Sequence, residues 1–158
     1  MSKDDEIDLK VGRDAVDAVV GKANQSKLEL VGTPYIFNMS FVNHEPVKDG
    51  DKKVAELGLK LQRDSDDPSR AVIEFEVMLA AKNKDGKECF VLKLSYVGLF
   101  IIDKDEKDAE YLLSVKGATK LYPHLQAQIG RIAADTRCGM KLSDMDFEAA
   151  YKQQKAKK

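Results

Sequence analysis

The sequence predicts an α+β fold in which about four antiparallel strands come first and helices then pack on one face of the sheet. Three observations predict it. Before residue 103, apolar and polar residues alternate in several short runs, the period of a strand with one buried face. Asp85-Gly86 joins two of those runs, and an Asp-Gly pair readily supplies the positive φ that a tight hairpin needs. After residue 108 the apolar spacing becomes i, i+3, i+4, that of an amphipathic helix.

Taken in order, residues 1–12 are polar and are expected to be disordered. Residues 13–24 place Ala15, Val16, Val19 and Val20 around Asp14 and Asp17, which suggests a short amphipathic helix. Residues 27–31 form a short strand candidate, and Gly32-Thr33-Pro34 breaks it. Tyr35, Phe37, Met39 and Phe41 then alternate, predicting a strand with one apolar face. A polar loop over residues 43–53 leads to Ala55, Leu57, Leu59 and Leu61. An acidic turn containing Pro68 leads to Ile73, Phe75, Val77 and Leu79. Past the Asp-Gly hairpin come Phe90, Leu92, Leu94 and Tyr96, and residues 97–102 are apolar on both faces, which calls for cover on both sides.

Ala109, Leu112 and Leu113 open the helical part, Gly117 interrupts it, and Ala118, Leu121, Tyr122, Leu125, Ile129, Ile132 and Ala133 continue it. Pro123 marks either a helix start or a kink. Gly139 is a candidate stop. Residues 143–146 offer an N-cap for a last helix carrying Phe147, Ala150 and Tyr151, and the basic tail 152–158 is expected to fray.

Composition narrows the function. Apolar residues make up 43 % of the 158, enough for a core, and charged residues 34 %. The net charge of −1 leaves no basic surplus to hold a phosphate backbone, so no nucleic-acid partner is expected. No apolar run approaches the roughly 18–20 residues that span a bilayer, so membrane insertion is not expected either. The acidic start lacks the apolar stretch of a signal peptide, which points to the cytoplasm.

Cys89 and Cys138 lie far from His44 and His124 and cannot make a four-ligand zinc site, so no metal and no cofactor are expected. His124 as a base and Cys138 beside Arg137 as a nucleophile both lack an orienting third group. The cluster Asp103, Asp105, Glu106 and Asp108 lacks the glycine and distal glutamate of a calcium loop. No catalytic residue is therefore predicted. What remains is apolar surface in excess of one core, at Leu57, Leu59, Leu61 and residues 97–102, for subunit packing or for a groove that takes extended apolar segments.

Three pieces between Leu57 and Tyr151 resemble the SecB-like export chaperones. They are the strand series LGLKLQ, VIEFEVML and CFVLKLSYVGLF with its Gly98-Leu99-Phe100 step, the helix start and return LYPHLQAQIGRIAADTRCGMKL, and the closing helix DFEAAYKQQ. The resemblance implies a four-stranded antiparallel sheet with helices on one side, in a single domain over residues 13–158. It also implies a homotetramer built as a dimer of dimers, without enzymatic activity, that holds unfolded client polypeptides in apolar grooves without ATP. By position, Leu57, Leu59, Leu61, Leu125, Ile129 and Tyr151 fall in groove-forming segments. Departures bear on the partner. The family's acidic patch for the export motor ATPase has Lys93 at one of its positions, and the tail is basic, which counts against motor docking. A relative dedicated to one partner, such as an antitoxin, is one alternative, and a small-ligand-binding or enzymatic α+β domain is another.

Overall fold

The computed structural model describes residues 27–157. The helix expected over 13–24 and the disorder expected over 1–12 lie outside the described residues.

Four long strands form one antiparallel sheet: β1 (Leu28–Asn43), β2 (Lys52–Arg63), β3 (Arg70–Lys82) and β4 (Glu88–Ile102). Their spatial order is β1-β4-β3-β2, so β1 and β2 are the edges. The β3–β4 hairpin turns where Asp85-Gly86 predicts it. Gly86 takes φ 80°, and the Asn83 side chain accepts from the amides of Asp85 and Lys87 at 2.9 and 3.0 Å.

Residues 27–42 are one strand, not two. The Gly32-Thr33-Pro34 break is absorbed as an irregularity inside β1. Val31 pairs with Leu99 and Tyr35 with Val97, so four steps along β1 match two along β4. Gly32 takes φ 68° there, which glycine adopts at little cost. A second shift, between Ile36 opposite Tyr96 and Asn38 opposite Ser95, leaves Phe37 as the extra residue, 67 % exposed. The single apolar face expected for Tyr35, Phe37, Met39 and Phe41 is therefore corrected. Tyr35 shares a face with Val97, whereas Met39 and Phe41 share the other with Leu94 and Leu92, because the one extra residue between them, Phe37, shifts the alternation.

A helical run follows the sheet. It opens as α1 (Ala109–Tyr111), widens to a π-helical stretch at Leu112–Gly117, and continues as α2 (Ala118–Thr136). Pro123 thus lies inside a continuous run; its missing N–H costs one hydrogen bond to the Thr119 carbonyl. The helix ends at Arg137, which takes the left-handed conformation at φ 58°, and Gly139 lies two residues beyond. An irregular return leads to α3 (Phe147–Ala156), so residues 152–156, expected to fray, are helical. Asp146 caps α3, its side chain accepting from Ala149 N at 3.0 Å.

All the helices among the described residues cover one sheet face. Its core is built from Ile73, Phe75 and Leu79 of β3, Phe90, Leu92 and Phe100 of β4, and Leu113, Leu121, Leu125 and Ile129 from above. Two glycines set the approach. A Cβ on Gly98 would stand 2.7 Å from Leu121 Cδ1, and one on Gly117 would stand 2.5 Å from Ile73 Cδ1.

Candidate functional site: an apolar groove between the edge strand and the last helix

Leu57, Leu59 and Leu61 pair with Val77, Phe75 and Ile73, which puts all three on the helix-covered face of β2. They are only half-buried, because α2 packs toward β4 and β1 and leaves the opposite edge, β2, uncovered. The last helix stands above them. Phe147, Ala150, Tyr151 and Gln154 follow the i, i+3, i+4, i+7 spacing of one helical face, and that face meets β2 across a groove of about 490 Å³. Ser114 and Met145 complete its lining, and Glu110 and Lys155 stand at its polar side.

The return before α3 fixes the groove's width. Tyr122 donates its hydroxyl to the Ser143 carbonyl at 2.6 Å, and Gln126, one turn on, donates to the Leu142 carbonyl at 3.2 Å and to Asp144 Oδ1 at 3.0 Å. The Tyr122 ring also packs edge-on against Phe75 and Phe147, with centroids 5.6 and 5.2 Å apart. A single residue of the LYPHLQ segment therefore ties sheet, long helix, return and last helix together. Burial, followed by the nearby Asp144 carboxylate, raises the Tyr122 pKa, so the hydroxyl stays a donor.

At the groove's mouth, α1 and α3 are clasped. Lys155 Nζ lies 2.6 Å from Glu110 Oε1, and Tyr151 donates to the same oxygen at 3.1 Å. Tyr111 and Tyr151 meet edge-to-face at 5.4 Å, and Tyr111 donates to Glu148 at 3.4 Å. Burial and the hydrogen bond to Glu110 raise the Tyr151 pKa.

Of the six residues expected to line a groove, Leu57, Leu59, Leu61 and Tyr151 do so. Leu125 and Ile129 do not; they are 0 % and 1 % exposed and belong to the core. The helical period places them on the face of α2 that packs onto the sheet, and that face is fully used there. Sequence reasoning missed Glu110, Ser114, Met145 and Lys155 as neighbours of the groove. Only the spacing of Phe147, Ala150 and Tyr151 carried a signal, as the apolar stripe of α3.

The residues weighed for chemistry do not assemble. His124 is exposed on α2, Cys138 is buried in the core, and neither lines the groove. Cys89 is fully buried and donates to the Ala81 carbonyl at 3.3 Å; burial, and then the Asp51 carboxylate, push its thiol pKa up. Among the described residues no group of three or more His, Cys, Asp or Glu is placed to hold a metal ion, and no helix is long and apolar enough to cross a membrane.

A four-stranded antiparallel sheet with helices on one face and an open apolar groove beside its edge strand defines an α+β scaffold built around that groove. The SecB family, described as preprotein translocase subunit SecB, matches residues 22–158, and the chain belongs to that family. Its fold is also that of the SecB-like chaperone Rv1957 of Mycobacterium tuberculosis, solved in complex with a ChAD peptide from the Rv1956 HigA1 antitoxin. That structure is 14 % identical, with a TM-score of 0.63, over 75 % of this chain and 90 % of the other. No curated protein matches the sequence.

Proposed function

We propose that this chain is an ATP-independent holdase chaperone that binds unfolded polypeptides in the groove between β2 and α3. Family membership supports the chaperone class. The observation that carries the reading is the row Leu57, Leu59 and Leu61, half-buried on an edge strand and facing the apolar side of α3 across about 490 Å³. Such a surface removes apolar side chains of many shapes from water, at roughly 25 cal/mol per Å². The unpaired backbone of an edge strand adds hydrogen bonds that read no side chain. Nothing in this function calls for a catalytic group, a metal or a nucleotide.

The chain works in the cytoplasm as a homotetramer, a dimer of dimers. The exposed edge of β1 supports a subunit interface: Tyr35 on one face, Met39 and Phe41 on the other, and Phe37 at the bulge are all exposed. The test is aggregation of a chemically unfolded model protein diluted with and without this chain, read by light scattering, together with the chain's own mass. Suppressed aggregation by a tetramer is expected, and a monomer that suppresses nothing overturns the proposal.

A second reading is a chaperone dedicated to one partner, such as an antitoxin, rather than to protein export. Two observations favour it. The similar SecB-like chaperone was solved with an antitoxin peptide. Lys93 is exposed on the helix-free face, where the resemblance to export chaperones calls for an acid. Protection of one client but not of unrelated unfolded proteins would select this reading.

A further inference from the structure

The helix-free face carries a second groove, at the end of the sheet where β1 begins. Val31, Val72, Leu99 and Ile101 are among the residues of its lining, Arg70 is the cation the register places on this face, Arg63 stands at the groove's end, and its volume is about 590 Å³. Val31 and Leu99 are direct cross-strand partners and are 41 % and 43 % exposed, an apolar pair left facing water. Arg70 meets Asp67 at 3.4 Å in a largely exposed ion pair, which is worth little and leaves its charge available to another partner. Arg63 donates to the Pro68 carbonyl and keeps its full charge, and the Asp64 carboxylate, which accepts from Asp66 N at 2.9 Å, keeps its own, so the lining carries two positive charges and one negative.

The chain itself supplies an occupant of matching chemistry. Leu28 pairs with Ile102, so residues 1–26 join the sheet at this end. Val20 is eight residues from Leu28, where β1 begins, and at roughly 3.3 Å per residue that stretch is long enough to turn back to Val31. Ala15, Val16, Val19 and Val20 are apolar, and Asp14 and Asp17 between them carry the charge opposite to that of Arg63 and Arg70. The family match begins at residue 22, so these residues lie outside it. We propose that this groove is the docking surface for the chain's own residues 14–20, which cover Val31 and Leu99 and set their aspartates against Arg63 and Arg70. The proposal is independent of the client groove, which lies on the opposite face of the sheet.

A cross-link tests it in the full chain. With V19C and L99C introduced together, a short bismaleimide is expected to join the two positions within one chain, in a yield that does not change on dilution. The buried Cys89 and Cys138 are controlled by the two single variants. Links only between chains would place a second copy in the groove and overturn the proposal, as would no link above the single-variant controls. A second measurement does not depend on cross-linking geometry. A polarity-sensitive fluorophore on L99C is expected to shift to the red when V16D and V19D are added, and unchanged emission overturns the proposal.

Discussion

Gly98 of β4 lies directly beneath Leu121 of α2, so close that a Cβ at position 98 would stand 2.7 Å from Leu121 Cδ1 and 3.1 Å from Leu30 Cδ1. Leu121 is fully buried and has no room to withdraw. Gly98→Ala is therefore expected to cost about 1–3 kcal/mol, the usual range for overpacking a tight core. Gly117→Ala meets Ile73 at a similar distance but gains up to about 1 kcal/mol of helix propensity, so it should cost less. Urea unfolding of the two variants checks the order.

Replacing Leu59 and Leu61 together by serine removes half-buried side chains from the groove floor and leaves the fully buried core residues intact. Client protection, read by light scattering, should fall several-fold while the circular dichroism spectrum and the assembly mass stay unchanged. If the assembly dissolves instead, these leucines are interface core.

Leu125→Ala is the contrasting change. That residue is fully buried on the sheet-facing side of α2, so its truncation should cost about 2–5 kcal/mol. Its effect on client binding should come only through lost stability, and should vanish at temperatures where the variant is fully folded. Thermal melts run beside the binding assay separate the two.

Tyr122→Phe keeps the ring between Phe75 and Phe147 but leaves the Ser143 carbonyl without its donor. The expected cost is about 0.5–1.5 kcal/mol, with added motion in the return that carries α3. Burial raises the pKa of Tyr122, and likewise that of Tyr96. The folded state thus holds these protons more tightly than the unfolded chain does. The stability this contributes is complete below the ordinary tyrosine value near pH 10 and is lost as pH rises above it. Unfolding free energies measured across that range should fall with pH, and less steeply in the phenylalanine variant.

Asp146→Ala removes the acceptor for Ala149 N and should cost about 1 kcal/mol. Because α3 forms one wall of the groove, amide exchange in its first turn should rise and client affinity should fall, while exchange in β3 and β4 should not change. Asp146→Asn, which retains the capping oxygen, should restore both.

The strands of the inner sheet were legible in the sequence. Alternation placed Ile73, Phe75, Val77 and Leu79 on one face, Asp85-Gly86 marked the hairpin, and the change of period after residue 108 marked the helices. These signals are local, set by which side chains neighbour one another along the chain. A cap within residues 143–146 and the apolar stripe of α3 were legible for the same reason, whereas the structure picks Asp146 as the capping residue.

What the tertiary structure alone decided was how those elements cover one another. The sequence puts Leu57, Leu125 and Ile129 on apolar faces alike. Only the lateral position of α2, toward β4 and β1, buries Leu125 and Ile129 and leaves Leu57 at the edge beside an open groove. Only the register of β1 against β4 turns Tyr35 and Met39 to opposite faces, because the one extra residue that breaks the alternation, Phe37, shows itself against a partner strand and not along β1 itself. Periodicity records which side of an element is apolar, whereas the choice between core and groove depends on which other element happens to reach it.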